Sequence, residues 1–281
     1  MTASPWLKRA VAVALEEDLG RGDITSESCV PADVRAVGEI VAKAKGVLAG
    51  MEAVAEVARQ VDEAICLEPL RSNGDAVEPG DGVAHVTGPG RSVLAFERTA
   101  LNFLQQLSGV ATLTRAFVEQ VAGTKAVVVD TRKTVPGLRR LQKAAVVAGG
   151  GQNHRFGLYD AVLIKDNHIC LAGGVAEALK RARARASFAA KIEIEVTTPA
   201  DAELAADLGA EIIMLDNMSP QAVRESLARI KGRALTELSG GVRLNTIREY
   251  AELGVDLISV GALTHSAPAL DLSLEITGWI P

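Results

Sequence analysis

The sequence predicts an α/β protein, with a C-terminal α/β barrel of about six parallel strands, short of the usual eight, after a smaller N-terminal α+β domain. Three observations carry that expectation. Beyond residue 121, short β-branched or apolar runs alternate with helical stretches, the pattern of repeated βα units. Six such runs each end in, or lead directly into, a charged, hydroxyl or glycine residue, and strand C-termini are where α/β barrels assemble their sites. The first ninety or so residues lack this rhythm and instead show short β segments broken by turns.

Taken in order, "WLKRAVAVALEEDL" places Leu7, Val11, Ala14, Leu15 and Leu19 at helical spacing and ends at Gly20 and Gly22. Residues 34–48 include an alternating stretch that reads as strand, and "GMEAVAEVARQV" reads as helix. "GDAVEPGDGVAHVTGPG" reads as short β segments with turns at Asn73-Gly74, Pro79-Gly80 and Pro89-Gly90. Residues 94–121 keep helical periodicity and bridge to the barrel, which sets the domains at 1–112 and 113–281. The six barrel strands are "AVVVD" ending at Asp130, "AVLIK" at Lys165, "KIEIEV" around Glu195, "EIIMLD" at Asp216, "ALTELS" at Ser239 and "DLISVG" at Gly261. A doubly wound dinucleotide-binding sheet would require GxGxxG after the first strand, where this chain has "TRKTVPG".

Composition narrows the function. The chain is 48% apolar and 23% charged, as in a folded globular protein. A net charge of -5 with 3% aromatics argues against nucleic acid as a partner, so any anion site must be a local concentration of Lys and Arg. Cys29, Cys66 and Cys170 form no CxxC pair and read as isolated reduced thiols. No apolar run approaches the roughly 18 residues of a membrane span, and a cytoplasmic protein is expected.

The polar groups at the strand ends form a chemical set. Thr131, Arg132 and Lys133 follow the first strand, Lys165 ends the second, and Glu195 and Asp216 mark the third and fourth. Ser239-Gly240-Gly241 and Val260-Gly261-Ala262 follow the fifth and sixth, and "GGGQNHR" with His154 and Arg155 lies between the first two. Arg offers a planar fork to a carboxylate or phosphate, and Lys a compact charge. Carboxylates amid such cations suit sugar hydroxyls or Mg²⁺, which shares substrate phosphate oxygens. Glycine turns let backbone N–H groups approach a phosphate. Each element alone has an ordinary reading, a solvated basic turn or a loop, or for Lys165 an ion pair with Asp166. Their coincidence at six strand ends points to a phosphorylated sugar bearing a metal-bound second phosphate. Arg139 belongs to the rim or to a salt bridge, and Arg140 to solvent.

Long collinear motifs then resemble one family. "EEDLGRGDITSE", "ERTALNFLQQLSGVATLT", "DTRKTVPGLR", "GGGQNHRFGLYDAVLIKDNHI", "IMLDNM", "SGG" and "GVDLISVGALTHS" resemble the quinolinate phosphoribosyltransferases, or carboxylating nicotinate-nucleotide pyrophosphorylases, across nearly the whole chain. The resemblance implies a sandwich-like N-terminal domain, a partly open barrel, and conversion of quinolinate and phosphoribosyl pyrophosphate to nicotinate mononucleotide, pyrophosphate and CO₂ with Mg²⁺, in NAD biosynthesis. It implies a homodimer, or a larger oligomer built on it, in which Arg98 reaches the neighbour's quinolinate. Arg132, Lys133, His154, Arg155 and Lys165 would line the quinolinate and pyrophosphate side, with Lys133 and Lys165 counted as catalytic. Glu195 and Asp216, also counted as catalytic, would face the ribose and, indirectly, the metal. The "SGG" and "VGA" turns would hold the 5′-phosphate. Three other readings stand beside this one: a pyrophosphorylase-like protein associated with molybdate transport, a Schiff-base aldolase using Lys165, and a non-catalytic anion-binding module.

Overall fold

A computed structural model describes residues 4–280, so residues 1–3 and 281, the outermost positions of the two sequence domains, lie outside the described residues. The strands in chain order are β1 (Arg35–Ala42), β2 (Gly46–Val47), β3 (Cys66–Pro69), β4 (Ala76–Val77), β5 (Gly82–Pro89) and β6 (Val127–Val129). They continue with β7 (Val162–Ile164), β8 (Ile192–Val196), β9 (Ile212–Asp216), β10 (Leu235–Ser239), β11 (Leu257–Ser259) and β12 (Leu272–Ile280). The chain divides into two compact units. The first runs to Arg115 and also takes Val135–Gly150 and the residues from Ser266 onward; the second is Ala116–Thr134 with Gly151–His265. Division by chain position at 112/113 therefore differs from division by contact, which returns two later segments to the first unit.

In the first unit, an antiparallel sheet of order β12-β1-β5-β3 carries the helix Pro5–Leu19, which buries Leu7, Val11 and Leu15 at the expected spacing, and the helix Met51–Val61. Strand β1 alternates buried and half-exposed positions as a one-sided sheet requires. The bridging helix is longer than its apolar pattern alone suggests, Gly90–Gln120, with Phe96, Ala100, Leu104, Leu107 and Ala111 buried along one stripe. Gly109 in mid-helix admits the Pro268 carbonyl so closely that a Cβ there would lie 2.0 Å from its oxygen. Just beyond that approach, β12 pairs with β1 from Ala42↔Leu272 to Arg35↔Ile280. The sequence reading assigns no strand to "LSLEITGWI", although the stretch carries a partial alternation. Arg140 is exposed, as expected, and its guanidinium lies 5.6 Å from the centre of the Trp6 ring.

The second unit holds all six expected strands in one parallel sheet of order β6-β11-β10-β9-β8-β7. Consecutive strands from β7 to β11 lie side by side, and β6 joins next to β11. A closed barrel would pair β6 with β7, but among the described residues no ladder joins them, so six strands make a partly open barrel with two edges. The helices that follow the strands start where the sequence signals them: the Thr198 hydroxyl accepts the Asp201 N–H at 3.1 Å ahead of Pro199, and Ser219 does the same for Ala222 at 3.3 Å ahead of Pro220. Strand β8 is buried along its whole length. Ile192, Ile194 and Val196 alternate with Glu193 and Glu195, which puts two carboxylates on the other face of the strand. Among the described residues no helix is long and apolar enough to cross a membrane, and Cys29, Cys66 and Cys170 are free thiols.

At the N-terminal ends of β10, β11 and β6, Asp256 ties three segments together. Its carboxylate accepts the Thr236 N–H at 2.9 Å, the Thr236 hydroxyl at 2.7 Å and the Lys125 ammonium at 2.7 Å. Burial works to raise this carboxyl, but the bonds from Lys125 and Thr236 outweigh it and hold the group below its ordinary 3.8. A depressed folded value means that the stability Asp256 contributes is complete above about 3.8 and is lost as pH falls through the folded value. Asp256→Ala should thus lower unfolding free energy by about 2 kcal/mol at pH 7, with the gap to the parent protein narrowing in urea titrations below about pH 4.

Candidate active site

A cavity of about 590 Å³ opens at the C-terminal ends of the parallel strands, wholly within the second unit. Its wall includes Thr131, Arg132 and Lys133 after β6, His154 and Arg155, Lys165 after β7, Glu195 of β8, Asp216 of β9, and Ser239, Gly240 and Gly241 from the end of β10. These eleven residues, each singled out from the sequence, meet at one mouth. Val260, Gly261 and Ala262 are not part of the cavity wall but stand beside it: a Cβ on Gly261 would lie 3.1 Å from the Lys133 side chain, and the Thr264 hydroxyl donates to the Lys133 carbonyl at 2.8 Å. Arg98 belongs to the first unit, exposed, 3.9 Å from the Glu97 carboxylate.

The basic turn is held rather than loose. Thr131 Oγ1 accepts the Lys133 N–H at 3.0 Å, and the Thr134 N–H donates to the Arg132 carbonyl at 3.0 Å. The next segment is fastened to β6, since the Gln152 N–H donates to Val128 and the buried Asp130 carboxylate accepts the His154 N–H at 2.9 Å. Arg155 donates from Nη1 to the Ala161 carbonyl at 3.0 Å. Burial and then the like charge of Arg132 pull the Arg155 guanidinium down from its ordinary value, so the two forks repel one another across a space that an anion would relieve.

Lys165 lies just past β7, at the start of the helix Asp166–Ala172, and its ammonium donates to Glu195 across the mouth. Asp166, the alternative partner read from sequence, turns back on its own helix and accepts the Asn167 N–H at 2.7 Å. Asp216 accepts the Asn217 side-chain amide at 2.6 Å. Asn217 has a left-handed backbone, φ 52°, and its N–H donates to the Ser239 carbonyl at 3.0 Å. Gly240, φ 90°, packs against it so tightly that a Cβ would lie 2.3 Å from the Asn217 amide oxygen. The carboxylate of Asp216 and the glycine turn are thus one mechanical unit, with Asn217 as the joint.

Several residues of the site escaped the sequence reading. Asn217, Glu237, Met214 and Ser259 line the cavity, and Glu193 lies on the same face of β8 as Glu195. The available signal was a charged residue two positions before another polar strand-end residue, in "EIE" and in "ELS", inside runs otherwise apolar. Glu193 and Glu237 flank His154, whose Nε2 is 3.1 Å from Glu193 Oε2 and 3.4 Å from Glu237 Oε2. Burial disfavours an imidazolium, while the facing carboxylates of Glu193 and Glu237 favour it and draw the His154 value upward. Its Nδ1 accepts the Arg155 N–H at 2.7 Å, so the first ring proton belongs on Nε2, and a second requires that amide to turn away. Burial pushes Glu193 up, and its bond to His154 pulls it back. For a divalent cation, the mouth offers the carboxylate oxygens of Glu195 and Asp216, hard donors of the kind magnesium takes alongside substrate phosphates.

Comparison with known proteins matches nearly the whole chain to one family. Residues 110–275 match the model of the quinolinate phosphoribosyl transferase C-terminal domain, and residues 23–108 that of the N-terminal domain. A Bacillus subtilis protein named as a probable carboxylating nicotinate-nucleotide pyrophosphorylase is 41% identical over 271 residues, covering 96% of this chain and 93% of its own. A tobacco (Nicotiana tabacum) protein named quinolinate phosphoribosyltransferase [decarboxylating] 1b is 39% identical, covering 96% of this chain and 82% of its own. The solved nicotinate-nucleotide pyrophosphorylase of Francisella tularensis superposes with a TM-score of 0.94 at 38% identity, covering 99% of this chain and 98% of its own.

Gly240→Ala is expected to push Asn217 aside and, with it, Asp216. Binding of ribose 5-phosphate, followed by isothermal titration calorimetry, should weaken by at least about tenfold. An unchanged affinity would show that the turn does not cradle the phosphate.

Proposed function

The chain belongs to the quinolinate phosphoribosyltransferase family, and we propose that the mouth of its parallel sheet carries out the family's reaction through the residues gathered there. Its activity is that of a carboxylating nicotinate-nucleotide pyrophosphorylase: it transfers the phosphoribosyl group of phosphoribosyl pyrophosphate to quinolinate with loss of CO₂, in the synthesis of NAD. The observation that carries the assignment of roles is the convergence of Arg132, Lys133, Arg155 and Lys165 with Glu195, Asp216 and the Ser239–Gly241 turn on one cavity.

Quinolinate is a dicarboxylate, and Arg132 with Arg155 gives it two forks. Held so, its ring nitrogen faces the ribose C1. Lys133 and Lys165 neutralise the pyrophosphate, His154 braces the quinolinate side, and the Ser239–Gly241 and Val260–Ala262 turns hold the 5′-phosphate. Glu195 and Asp216 face the ribose hydroxyls and would hold a Mg²⁺ ion, which when bound would supply screening for the charge of the departing pyrophosphate. As the C1–O bond breaks, positive charge develops on the ribose, and the two carboxylates stabilise it. The ring nitrogen then bonds to C1. The C2–carboxylate bond next breaks, its electron pair staying on C2 beside the newly cationic nitrogen until a proton replaces CO₂. The second step is mainly substrate chemistry, and the site contributes orientation and charge.

The Schiff-base reading fits this geometry poorly, because it needs a neutral amine while Lys165 is engaged with the Glu195 carboxylate. A homodimer is supported by the exposed apolar side chains near the free edge strand β7, with Leu158, Tyr159, Leu171 and Phe188 all more than 70% exposed. In that dimer the exposed Arg98 is free to serve the neighbour's quinolinate.

Arg132→Ala and Arg155→Ala should each raise KM for quinolinate by about 10- to 100-fold, as expected when a buried carboxylate loses its fork, and unchanged steady-state constants would overturn the assignment. Co-expressed Arg98→Ala and Arg155→Ala subunits should recover about a quarter of the parent activity, since only mixed dimers hold one intact site. No recovery would place the whole site within one chain.

A further inference from the structure

Two buried carboxylates take no part in the reaction itself. Glu193 is 3% exposed and Glu237 is fully buried. They lie on β8 and β10, which flank β9, and in the sheet register Glu195, Met214 and Glu237 form one row with Glu193 one inward position below. An ionised carboxylate in such a place costs several kcal/mol unless a partner compensates, and a leucine would fill the space at no such cost. The compensation is sparse. Among the described residues, Glu193 Oε1 and both Glu237 oxygens accept no hydrogen bond, and the group facing the pair is His154 Nε2.

From His154 contacts run to Asp130 and to Arg155. Its main-chain N–H goes to Asp130, its Nδ1 takes the Arg155 N–H at 2.7 Å, and the Arg155 guanidinium bonds onward to Ala161. The negative charge of Glu193 also reaches Arg155 and offsets the repulsion from Arg132. We propose that Glu193 and Glu237 are positioning residues: they fasten His154 to the floor of the cavity, and through its ring they set the main chain from which the Arg155 fork reaches the pyridine dicarboxylate. The same charge keeps two guanidiniums together before any anion arrives, so quinolinate meets a preassembled fork. This rests on the role given to Arg155 in the proposed reaction. A divalent cation among His154, Glu193 and Glu237, whose ligand atoms lie within 4.8 Å of one another, is the competing occupant. The 3.1 Å separation of Nε2 and Glu193 is that of a hydrogen bond, and the adjacent guanidiniums disfavour a second cation.

Glu193→Gln and Glu237→Gln test this. Each should raise KM for quinolinate by about tenfold, with kcat and the KM for phosphoribosyl pyrophosphate within about twofold of the parent. Each should remain folded by circular dichroism, since the amide keeps the volume of the carboxylate it replaces, so that a change in KM reads positioning. Glu193→Asp keeps the charge but withdraws the oxygen from Nε2, and it should reproduce the rise in KM, which keeps the test valid if a Gln variant fails to fold. Unchanged quinolinate KM in the folded variants, or equal losses for both substrates, would overturn the proposal. So would one equivalent of divalent metal in the purified parent, by elemental analysis, that is absent from the variants. A parent protein that made no nicotinate mononucleotide would instead refute the assigned reaction.

Discussion

Glu193 and Glu237 are buried within the parallel sheet and Glu195 is nearly so at the cavity wall, and most of the site can be understood as the answer to that burial. Lys165 engages Glu195, His154 faces Glu193 and Glu237, and Arg155 lies within the field of Glu193 while Arg132 stands close by. Charge inside a protein is tolerated only when opposite charge is held close, in good geometry. Here the compensating cations, Lys165 and Arg155, are also among the groups proposed to bind an anionic substrate. The free enzyme therefore keeps its forks in place with internal carboxylates, and substrate carboxylates and phosphates add to an existing balance.

The open barrel makes this arrangement possible. Strands β7 to β11 lie in consecutive order, so residues from successive chain segments become neighbours at one mouth. The end of the sheet away from the mouth is tied by neutralised contacts such as Asp256 with Thr236 and Lys125, and there stability is the only demand. At the mouth, Asn217 adopts a left-handed backbone and Gly240 accepts a contact that a side chain would block, so the turn is fixed by close packing.

Much of this was legible in the chain. The six strands and their polar end residues follow from periodicity and β-branched content. Less legible was which polar group answers which. Asp166, adjacent to Lys165, was the natural local partner, yet Glu195, thirty residues on, takes the ammonium. The strand Leu272–Ile280 carried a partial alternation, but its partner β1 lies more than two hundred residues earlier.

By itself, the sequence determined most element types, the parallel character of the second unit, eleven residues of the mouth and, through long collinear motifs, the family. These depend on local spacing, which a chain displays directly. Only the tertiary structure decided that Glu193 and Glu237 converge on His154, that Asn217 joins Asp216 to the glycine turn, and that residues 135–150 and 266 onward return to the first unit. Those outcomes depend on strand order and register. A side chain's distant neighbours are set by which strands lie side by side, and no local spacing encodes that.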